Sequence, residues 1–531
     1  MSILVPTSVD GPPEGDDASV SPLDVLIAPL DQRGPAIGSA VRWVASVQGG
    51  SQVIRLLGTI GLARLLTPAD FGLVSLVMVI TNMVERVLGD TGTTSALIRH
   101  DHLTQRLAST VFYWNLVVGA ATTLLFVVAA RPMAMLLGDR DAAGVARVIG
   151  CLALVNATTY VQTGLFRRTL QFKRLAGINI VNLTVTMGSS LGLAAMGWGA
   201  WALAVGTLTG SASAAMVVWV WSDWRPSRHF AWIDLEPIRG FSVRLSAQNL
   251  LNYFARVGDR FVVGRLLGVT DLGYYGMANR LINYPLMACT QTGREAIYPN
   301  LVRIKHDAAA LRVMYRRTLA GIALVMLPIC LTTAAVADPL VHVVLGELWV
   351  PAIPLISIVA VVGALQSLTV TTGPIYLVLG RVDLLLRWSI ISCVVLLLGY
   401  LAGAHWGVTG VGLGYLGGTV VLAYPAFRIP LRLIDARPSY LFGALLGPVA
   451  CAAAGSAAAY LSVRAFAAAG RPDWVTLLAG VGISGVVTGA ALLLVRPEAL
   501  RDAWAVATSR RGPSRSSRMA ATPEQKDSDK R

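Results

Sequence analysis

Charged residues are scarce. Asp, Glu, Lys and Arg together make up 14% of the 531 residues, against about 25% in soluble domains. A chain so poor in charge cannot cover a soluble core with polar surface. Cysteine is nearly as rare. The five, Cys151, Cys289, Cys330, Cys393 and Cys451, all sit in apolar stretches, with no C-x-x-C pair. A zinc site and a redox pair are therefore not signalled, and the cysteines read as small hydrophobes. The six histidines have no ligand spacing, and a Walker lysine motif is missing, so neither a metal nor ATP hydrolysis is expected. No basic segment followed by an apolar core opens the chain, so a signal peptide is not expected either.

What is present is long apolar sequence: 55% of residues are hydrophobic and the mean hydropathy is +0.62. Runs of about 20 apolar residues are long enough to cross a bilayer as a helix. The pattern predicts about fourteen, over 41–65, 72–97, 109–130, 144–165, 174–196, 199–222, 240–265, 273–298, 312–336, 351–379, 384–402, 407–427, 439–462 and 474–495. The expected fold is therefore all-α and polytopic. The net charge of +15 raises the question of nucleic acid, but no basic soluble domain exists to carry such binding. The cations fall instead in alternate loops: Arg99 and Arg106; Arg167, Arg168, Lys173 and Arg174; Arg225, Arg228 and Arg239; Arg303 to Arg317; Arg381 and Arg387; Arg428 to Arg437. By the positive-inside rule those loops are cytoplasmic, which puts both termini inside. The acidic Pro/Gly/Ser-rich start and the basic end (497–531) are expected to be unstructured cytoplasmic tails.

One phrase recurs. "RLLTPADFG" (64–72) returns as "RLLGVTDLG" (265–273). Further pairs follow in order: "ARPMAMLLGD" (130–139) with "ADPLVHVVLGE" (337–347), and Trp198–Gly199 with Trp406–Gly407. The offset drifts slowly, from 201 (Arg64 to Arg265) to 208 (Trp198 to Trp406). Ordered anchors of this kind mark an internal repeat. The expected division is a first lobe over 38–222, a linker over 223–239, a second lobe over 240–430, and two added helices over 438–496, after an N-terminal tail over 1–37. Six helices per lobe make the repeats parallel, and transporters built this way place the substrate site between them. The shared phrase reads as structural, with Asp70 and Asp271 as candidate N-caps and Gly72 and Gly273 permitting close packing.

Ionisable residues within membrane spans are costly and usually face a partner or a wet cavity. They concentrate here in the first two helices of each lobe: Arg55; Glu85, Arg86 and Asp90; Arg256, Asp259 and Arg260; Arg280, Arg294 and Glu295. Arg256 and Arg260 share one helix face. Arginines slightly outnumber acids, which favours an anionic ligand, because guanidinium forks match phosphate in a bidentate manner. Arg55, Arg86, Arg256, Arg260, Arg280 and Arg294 are thus the binding candidates. Glu85, Asp90, Asp259 and Glu295 either neutralise them or couple transport to H+ or Na+, and the residues leave that choice open. Other motifs fall away. Gly412, Gly414 and Gly417 satisfy G-x-G-x-x-G inside an apolar helix, where Gly410, Gly414 and Gly418 fit close helix packing. "GSSLG" around Ser190 also lies in mid-helix and reads as packing.

The stretches "ARLLTPADFGLVSLVMVI", "LGDTGTTSALIRHDHLT", "STVFYWNL", "LQFKRLAGIN", "GWGAWAL" and "DRFVVGRLLGVTDLGYYGMANRL" resemble bacterial polysaccharide transporters. These are the oligosaccharide-flippase branch of the multidrug/oligosaccharidyl-lipid/polysaccharide exporter superfamily. The resemblance runs from about residue 38 to 430, with Asp90, Gly92, Asp259, Gly264 and Arg280 on matching motif positions. It implies a V-shaped, two-lobed, non-enzymatic transporter in the bacterial inner membrane. Its implied substrate is an undecaprenyl-pyrophosphate-linked oligosaccharide, moved outward by alternating access for lipopolysaccharide, capsule or exopolysaccharide synthesis. Membrane lipids, a polysaccharide polymerase and chain-length machinery are the implied partners, with no cofactor. A cation-coupled multidrug exporter of the same superfamily is the first alternative. It would favour an acidic or aromatic cavity. A membrane polymerase or glycosyltransferase is the second, and would favour a large external loop or a catalytic acid pair.

Overall fold

The computed structural model describes residues 34–88, 103–137, 141–236, 257–437 and 439–495, with single positions at 240, 242 and 253. Among the described residues the chain is helical, with no strand. The first half contains α1 (Gly34–Leu65), α2 (Pro68–Leu88), α3 (Gln105–Leu137), α4 (Asp141–Ala157), α5 (Tyr160–Arg168), α6 (Phe172–Ala195) and α7 (Ala200–Trp221). The second contains α8 (257–266), α9 (Val269–Arg303), α10 (Ala308–Ala335), α11 (Ile353–Thr369), α12 (Thr372–Val378), α13 (Val382–Gly403) and α14 (Gly407–Leu433). Two more helices, α15 (Ser439–Ala468) and α16 (Asp473–Val495), complete the described chain.

Within the described residues each predicted span falls on one helix or an adjoining pair; residues 89–97 of the second span and most of 240–256 in the seventh lie outside them. The pairs are α4 with α5, bent by 46°, and α11 with α12. Among the described residues eight helical stretches are long and apolar enough to cross a membrane, nine with the bent pair; one of the eight, Asp383–Leu433, takes in both α13 and α14. The expected count of fourteen goes beyond that figure. The helix α1 reaches back to Gly34, a few residues into the segment expected to be a tail. The remainder of both tails lies outside the described residues.

The halves repeat one packing plan. In the first, α3 lies on α4, α6 on α7, and α4 on α7; in the second, α10 lies on α11, α13 on α14, and α11 on α14. Glycines permit the closest of these approaches. On α14, Gly410 and Gly414 sit against the backbones of Gly403 and Gly399, leaving no room for a Cβ. On α7, Gly206 accommodates the hydroxyl of Ser190, which is buried. Both motifs set aside in the sequence are therefore packing surfaces, as expected. The added pair attaches to one side only: α15 packs on α10, and Ser484 of α16 shares a 2.6 Å hydrogen bond with Thr332.

The halves meet where the repeated phrase lies. One hydrophobic core spans the seam, with Leu62, Ala63, Leu66, Phe71 and Leu76 on one side and Val262, Val263, Leu272, Tyr275 and Trp349 on the other. Gly72 abuts the carbonyl of Val269, and Gly273 abuts that of Pro68. Pro68 and Val269 are counterparts in the repeat, so the contact is self-complementary. Gly264 belongs to the same seam, its missing Cβ lying 3.1 Å from side-chain carbons of Leu76 and Leu272.

The start of α2 corrects one expectation. Asp70 is not the N-cap. The helix begins at Pro68, whose fixed φ and absent N–H suit the first helical position. Thr67 is the cap, in a reciprocal box: Asp70 Oδ2 accepts from the Thr67 N–H at 2.9 Å and the Thr67 hydroxyl at 2.7 Å, while Thr67 Oγ1 accepts from the Asp70 N–H at 3.3 Å. Asp271 likewise sits in the first turn of α9, behind Gly268 at the cap with φ +95°.

Candidate functional site at the seam between the halves

At one end the seam is sealed. The Arg64 guanidinium, at the end of α1, donates to three successive carbonyls of the opposite half: Val344 (3.1 Å), His342 (3.2 Å) and Val343. These carbonyls belong to a π-helical turn, Val341–Leu345, that ends at Gly346 with φ +97°. Trp349 then donates its indole N–H to the Ala63 carbonyl at 2.8 Å and meets Phe71 edge-on at 5.5 Å. Helix ends leave carbonyls without partners, and here a side chain from the other half satisfies them.

Farther from that end, the seam carries charge. Arg280 lies seven residues past Gly273 on α9, about 10 Å along the helix axis. Its guanidinium stands 5.3 Å over the Phe71 ring of α2, a cation–π contact between halves. Arg260 on α8 and Tyr284 on α9 are within electrostatic reach of it. The Tyr284 hydroxyl shares a 3.0 Å hydrogen bond with Thr59 of α1, and Tyr253 donates to the Val79 carbonyl of α2 at 2.7 Å.

Arg55 lies one turn from Thr59, on the same face of α1. Thr59 is buried and Arg55 exposed, with Val53, Ile54, Leu56 and Leu57 exposed around it. So α1 is packed at Thr59 and stands free one turn farther from the sealed end. Arg260, Arg280 and the Arg55 face of α1 are thereby brought to one region. Arg86 and Glu85 fall on α2, and Arg294 and Glu295 on α9, with side chains outside the described residues; Asp90 and Arg256 lie outside them entirely.

Asp259 lies within electrostatic reach of Arg260 and bonds into the second half. It accepts from the Tyr275 hydroxyl at 2.8 Å through Oδ2, while Oδ1 is buried with no hydrogen-bond partner among the described residues. Tyr400 packs against Tyr415, ring centroids 5.3 Å apart, and lies near Tyr275, and Gln366 donates to the Tyr415 hydroxyl at 2.6 Å. Five helices, α8, α9, α11, α13 and α14, thus converge on a buried polar cluster within the second half. Sequence reasoning singled out Asp259 but missed these phenols, because tyrosines spread over 140 residues carry no spacing signal. It missed the role of Arg64 for the same reason: its partners are backbone carbonyls, which any residue supplies. Among the described residues no group of three His, Cys, Asp or Glu side chains could hold a metal ion.

The arrangement defines a polytopic helical membrane protein of two like halves, joined at one end and carrying arginine farther along the seam. Residues 61–354 match the family described as "Polysaccharide biosynthesis protein", and the chain belongs to that family. Among curated relatives, it is 24% identical to the teichuronic acid biosynthesis protein TuaB of Bacillus subtilis, over 59% of this chain and 65% of TuaB. It is 24% identical to the succinoglycan biosynthesis transport protein ExoT of Rhizobium meliloti, over 65% and 71% of the two chains. For the lipopolysaccharide biosynthesis protein WzxC of Escherichia coli the figures are 23%, 67% and 73%. The chain thus spans about two-thirds to three-quarters of these relatives. Its fold is shared with the lipid II flippase MurJ (TM-score 0.67, 11% identity, 85% of this chain and 99% of that one). It is also shared with an inward-facing multidrug transporter of the MATE family (TM-score 0.59, 16% identity, 72% and 94%). The sequence resemblance, the all-helical fold and the multi-pass membrane class are borne out.

Proposed function

We propose that this protein flips an undecaprenyl-pyrophosphate-linked oligosaccharide across the bacterial inner membrane, for assembly of a surface polysaccharide. The observation that carries the reading is Arg280 beside Arg260 at the seam, against Phe71 of the other half. Two neighbouring guanidiniums within membrane spans exceed the one carboxylate, Asp259, that acts on Arg260, and a pyrophosphate offers two bidentate acceptors to such forks. The transport and biosynthesis roles printed for ExoT and WzxC support the same substrate class.

In this reading the sealed end is the outer end, as the loop charges require. The headgroup enters from the cytoplasmic side. Arg260 and Arg280 hold its pyrophosphate, Arg55 faces it from α1, and the prenyl chain stays in lipid between the lobes. Release of the Arg64 and Trp349 contacts lets the lobes rock and presents the sugar outside. Arg86, Arg256 and Arg294 extend the basic path toward the cytoplasm, with Glu85, Asp90 and Glu295 balancing their charge. Asp259, bonded to Tyr275 and within electrostatic reach of Arg260, is the candidate for ion coupling. Partner polymerase and chain-length proteins would receive the product.

The multidrug-exporter reading shares the fold, but a cationic drug is repelled by paired guanidiniums. The test is translocation of a labelled polyprenyl-pyrophosphate oligosaccharide in proteoliposomes. Arg260→Ala with Arg280→Ala removes transport while Arg64→Ala alone changes its rate; equal transport by the double variant refutes the site.

A further inference from the structure

The segment joining the halves is stitched to the outside of α3. Gln105 Nε2 donates to the Arg225 carbonyl at 2.7 Å, and the Trp224 indole donates to Gln105 Oε1 at 2.7 Å. One turn on, the Ser227 N–H donates to the Ser109 hydroxyl at 2.9 Å, and the two serine hydroxyls share a second bond of 2.9 Å. The Ala231 N–H then reaches Thr110 Oγ1 at 3.5 Å. Finally Trp232, in a short 3-10 turn, meets Trp114 edge-on at 5.3 Å and Phe230 at 5.2 Å. The linker therefore climbs α3 from Gln105 to Trp114 instead of leaving the membrane surface.

The depth follows from the sequence. The apolar run of α3 begins at Ser109. Trp114 is five residues inside it, about 7 Å along the axis. Amphipathic segments that lie in an interface bury their apolar side by roughly 5–10 Å. At that level the linker turns large apolar groups outward: Phe230 is 41% exposed, Trp232 64% and Ile233 70%. Trp concentrates at membrane–water boundaries, where its ring is apolar and its N–H wet. Exposed cations lie at the same end of the bundle: Arg228 on the linker, Arg106 on α3, Arg167 at the end of α5 and Lys173 at the start of α6. Exposed acids beside them are Asp223, which pairs with Arg174 at 3.9 Å, and Glu236; Asp234, within the segment, has its side chain outside the described residues, and the cations still outnumber the acids.

We infer that residues 227–235 form an interfacial anchor that binds anionic phospholipid of the cytoplasmic leaflet, with Phe230, Trp232 and Ile233 in the acyl boundary and Arg228 at the headgroup. The charge decides the lipid: a cationic rim over an apolar wedge complements phosphatidylglycerol and has no such gain with zwitterionic phosphatidylcholine. Placed on the connection between the halves, the anchor fixes the pivot about which they move.

The test uses the full chain with Ile233→Cys carrying bimane, in vesicles of phosphatidylglycerol and phosphatidylcholine, with bimane-treated wild type as the blank for native cysteines. Brominated acyl chains quench the label, and brominated phosphatidylglycerol quenches more per mole than brominated phosphatidylcholine. Arg228→Ala lowers that preference about fivefold. Quenching by aqueous iodide in place of bromolipid overturns the insertion. Equal quenching by the two brominated lipids overturns the anionic preference, and protection from both quenchers means a protein covers the patch and overturns the proposal. Trp232→Phe, which keeps a ring against Trp114, supplies a second readout in the intrinsic fluorescence.

Discussion

Gly72 and Gly273 each stand where a Cβ would strike the first-turn backbone of the opposite helix, one at Val269 and the other at Pro68. Each does to its partner what its partner does to it. This mutual fit makes the repeated phrase a contact surface between the two halves, and it sets how closely α2 and α9 can cross.

Replacement of either glycine by alanine should therefore force the helices apart. Backbone has no rotamer with which to yield, so a cost of about 1–3 kcal/mol is expected. Gly188 is the control. It lies within α6, and nothing stands within 4 Å of where its Cβ would be, so Gly188→Ala should be neutral or slightly stabilising. Thermal unfolding in detergent separates the two. Equal melting temperatures for Gly72→Ala and Gly188→Ala would contradict the contact.

The Arg64 contact should depend on shape more than on charge. A planar fork reaches three carbonyls; an ammonium is a point donor. Arg64→Lys is expected to behave nearly as Arg64→Ala, each loosening the sealed end. Trp349→Phe, which keeps an aromatic edge against Phe71 and drops the bond to Ala63, should cost about 1 kcal/mol. Crosslinking between cysteines placed at positions 65 and 348 reports this directly, since its yield should fall in the order wild type, Trp349→Phe, Arg64→Lys. A yield unchanged in Arg64→Lys would mean that charge alone suffices.

The same turn gives the sealed end a pH dependence. His342 lies outside the membrane spans. Its Nδ1 bonds to the Asp338 carbonyl at 3.0 Å, with the Asp338 and Glu347 carboxylates at 3.8 and 3.9 Å. The backbone bond, joined by the carboxylates of Asp338, Glu347 and Asp473, raises its pKa above the usual imidazole range against the opposing effect of partial burial. A raised pKa in the folded state stabilises the protonated fold. That contribution is complete below about pH 6.5, the free imidazole value, and is lost as pH rises through the raised one. Melting temperature should thus decline from pH 6 to 8.5 more steeply in wild type than in His342→Gln. Parallel curves would refute it.

Much of this was legible in the sequence. Apolar run length located the helices, since a bilayer admits little else. The echo of Arg64–Gly72 in Arg265–Gly273 marked a helix-connecting turn repeated in each lobe, with glycines for close packing; that the two turns pack on each other depends on the crossing of α2 and α9. Cap chemistry was read three positions late: Asp70 looked like a cap, yet Pro68 takes the first helical position and leaves capping to Thr67. The basic pair was half legible. Arg260 and Arg280 stood out as charges in apolar sequence, but the approach of Arg280 to Phe71 and to Arg260 depends on how α8, α9 and α2 cross. The phenols around Asp259 could not be foreseen, because they come from helices far apart in the chain.

That cluster yields a further prediction. Tyr275→Phe removes the described donor to Asp259 Oδ2 and leaves both carboxylate oxygens short of partners, at a cost of about 1–3 kcal/mol. Asp259→Asn in the same background should recover part of the loss, since a neutral amide is cheaper to bury than a carboxylate. Melting temperatures of the two single variants and the double variant test this. Strict additivity would show that Asp259 and Tyr275 are not coupled.

The account rests above all on Arg260 and Arg280 binding a phosphorylated headgroup between the lobes. The most direct measurement is the binding of a labelled polyprenyl-pyrophosphate oligosaccharide to purified protein, titrated against added inorganic pyrophosphate. Pyrophosphate should compete in wild type, and Arg260→Ala/Arg280→Ala should lose both binding and competition while keeping its melting transition. Tight binding by that double variant, still displaced by pyrophosphate, would contradict the claim.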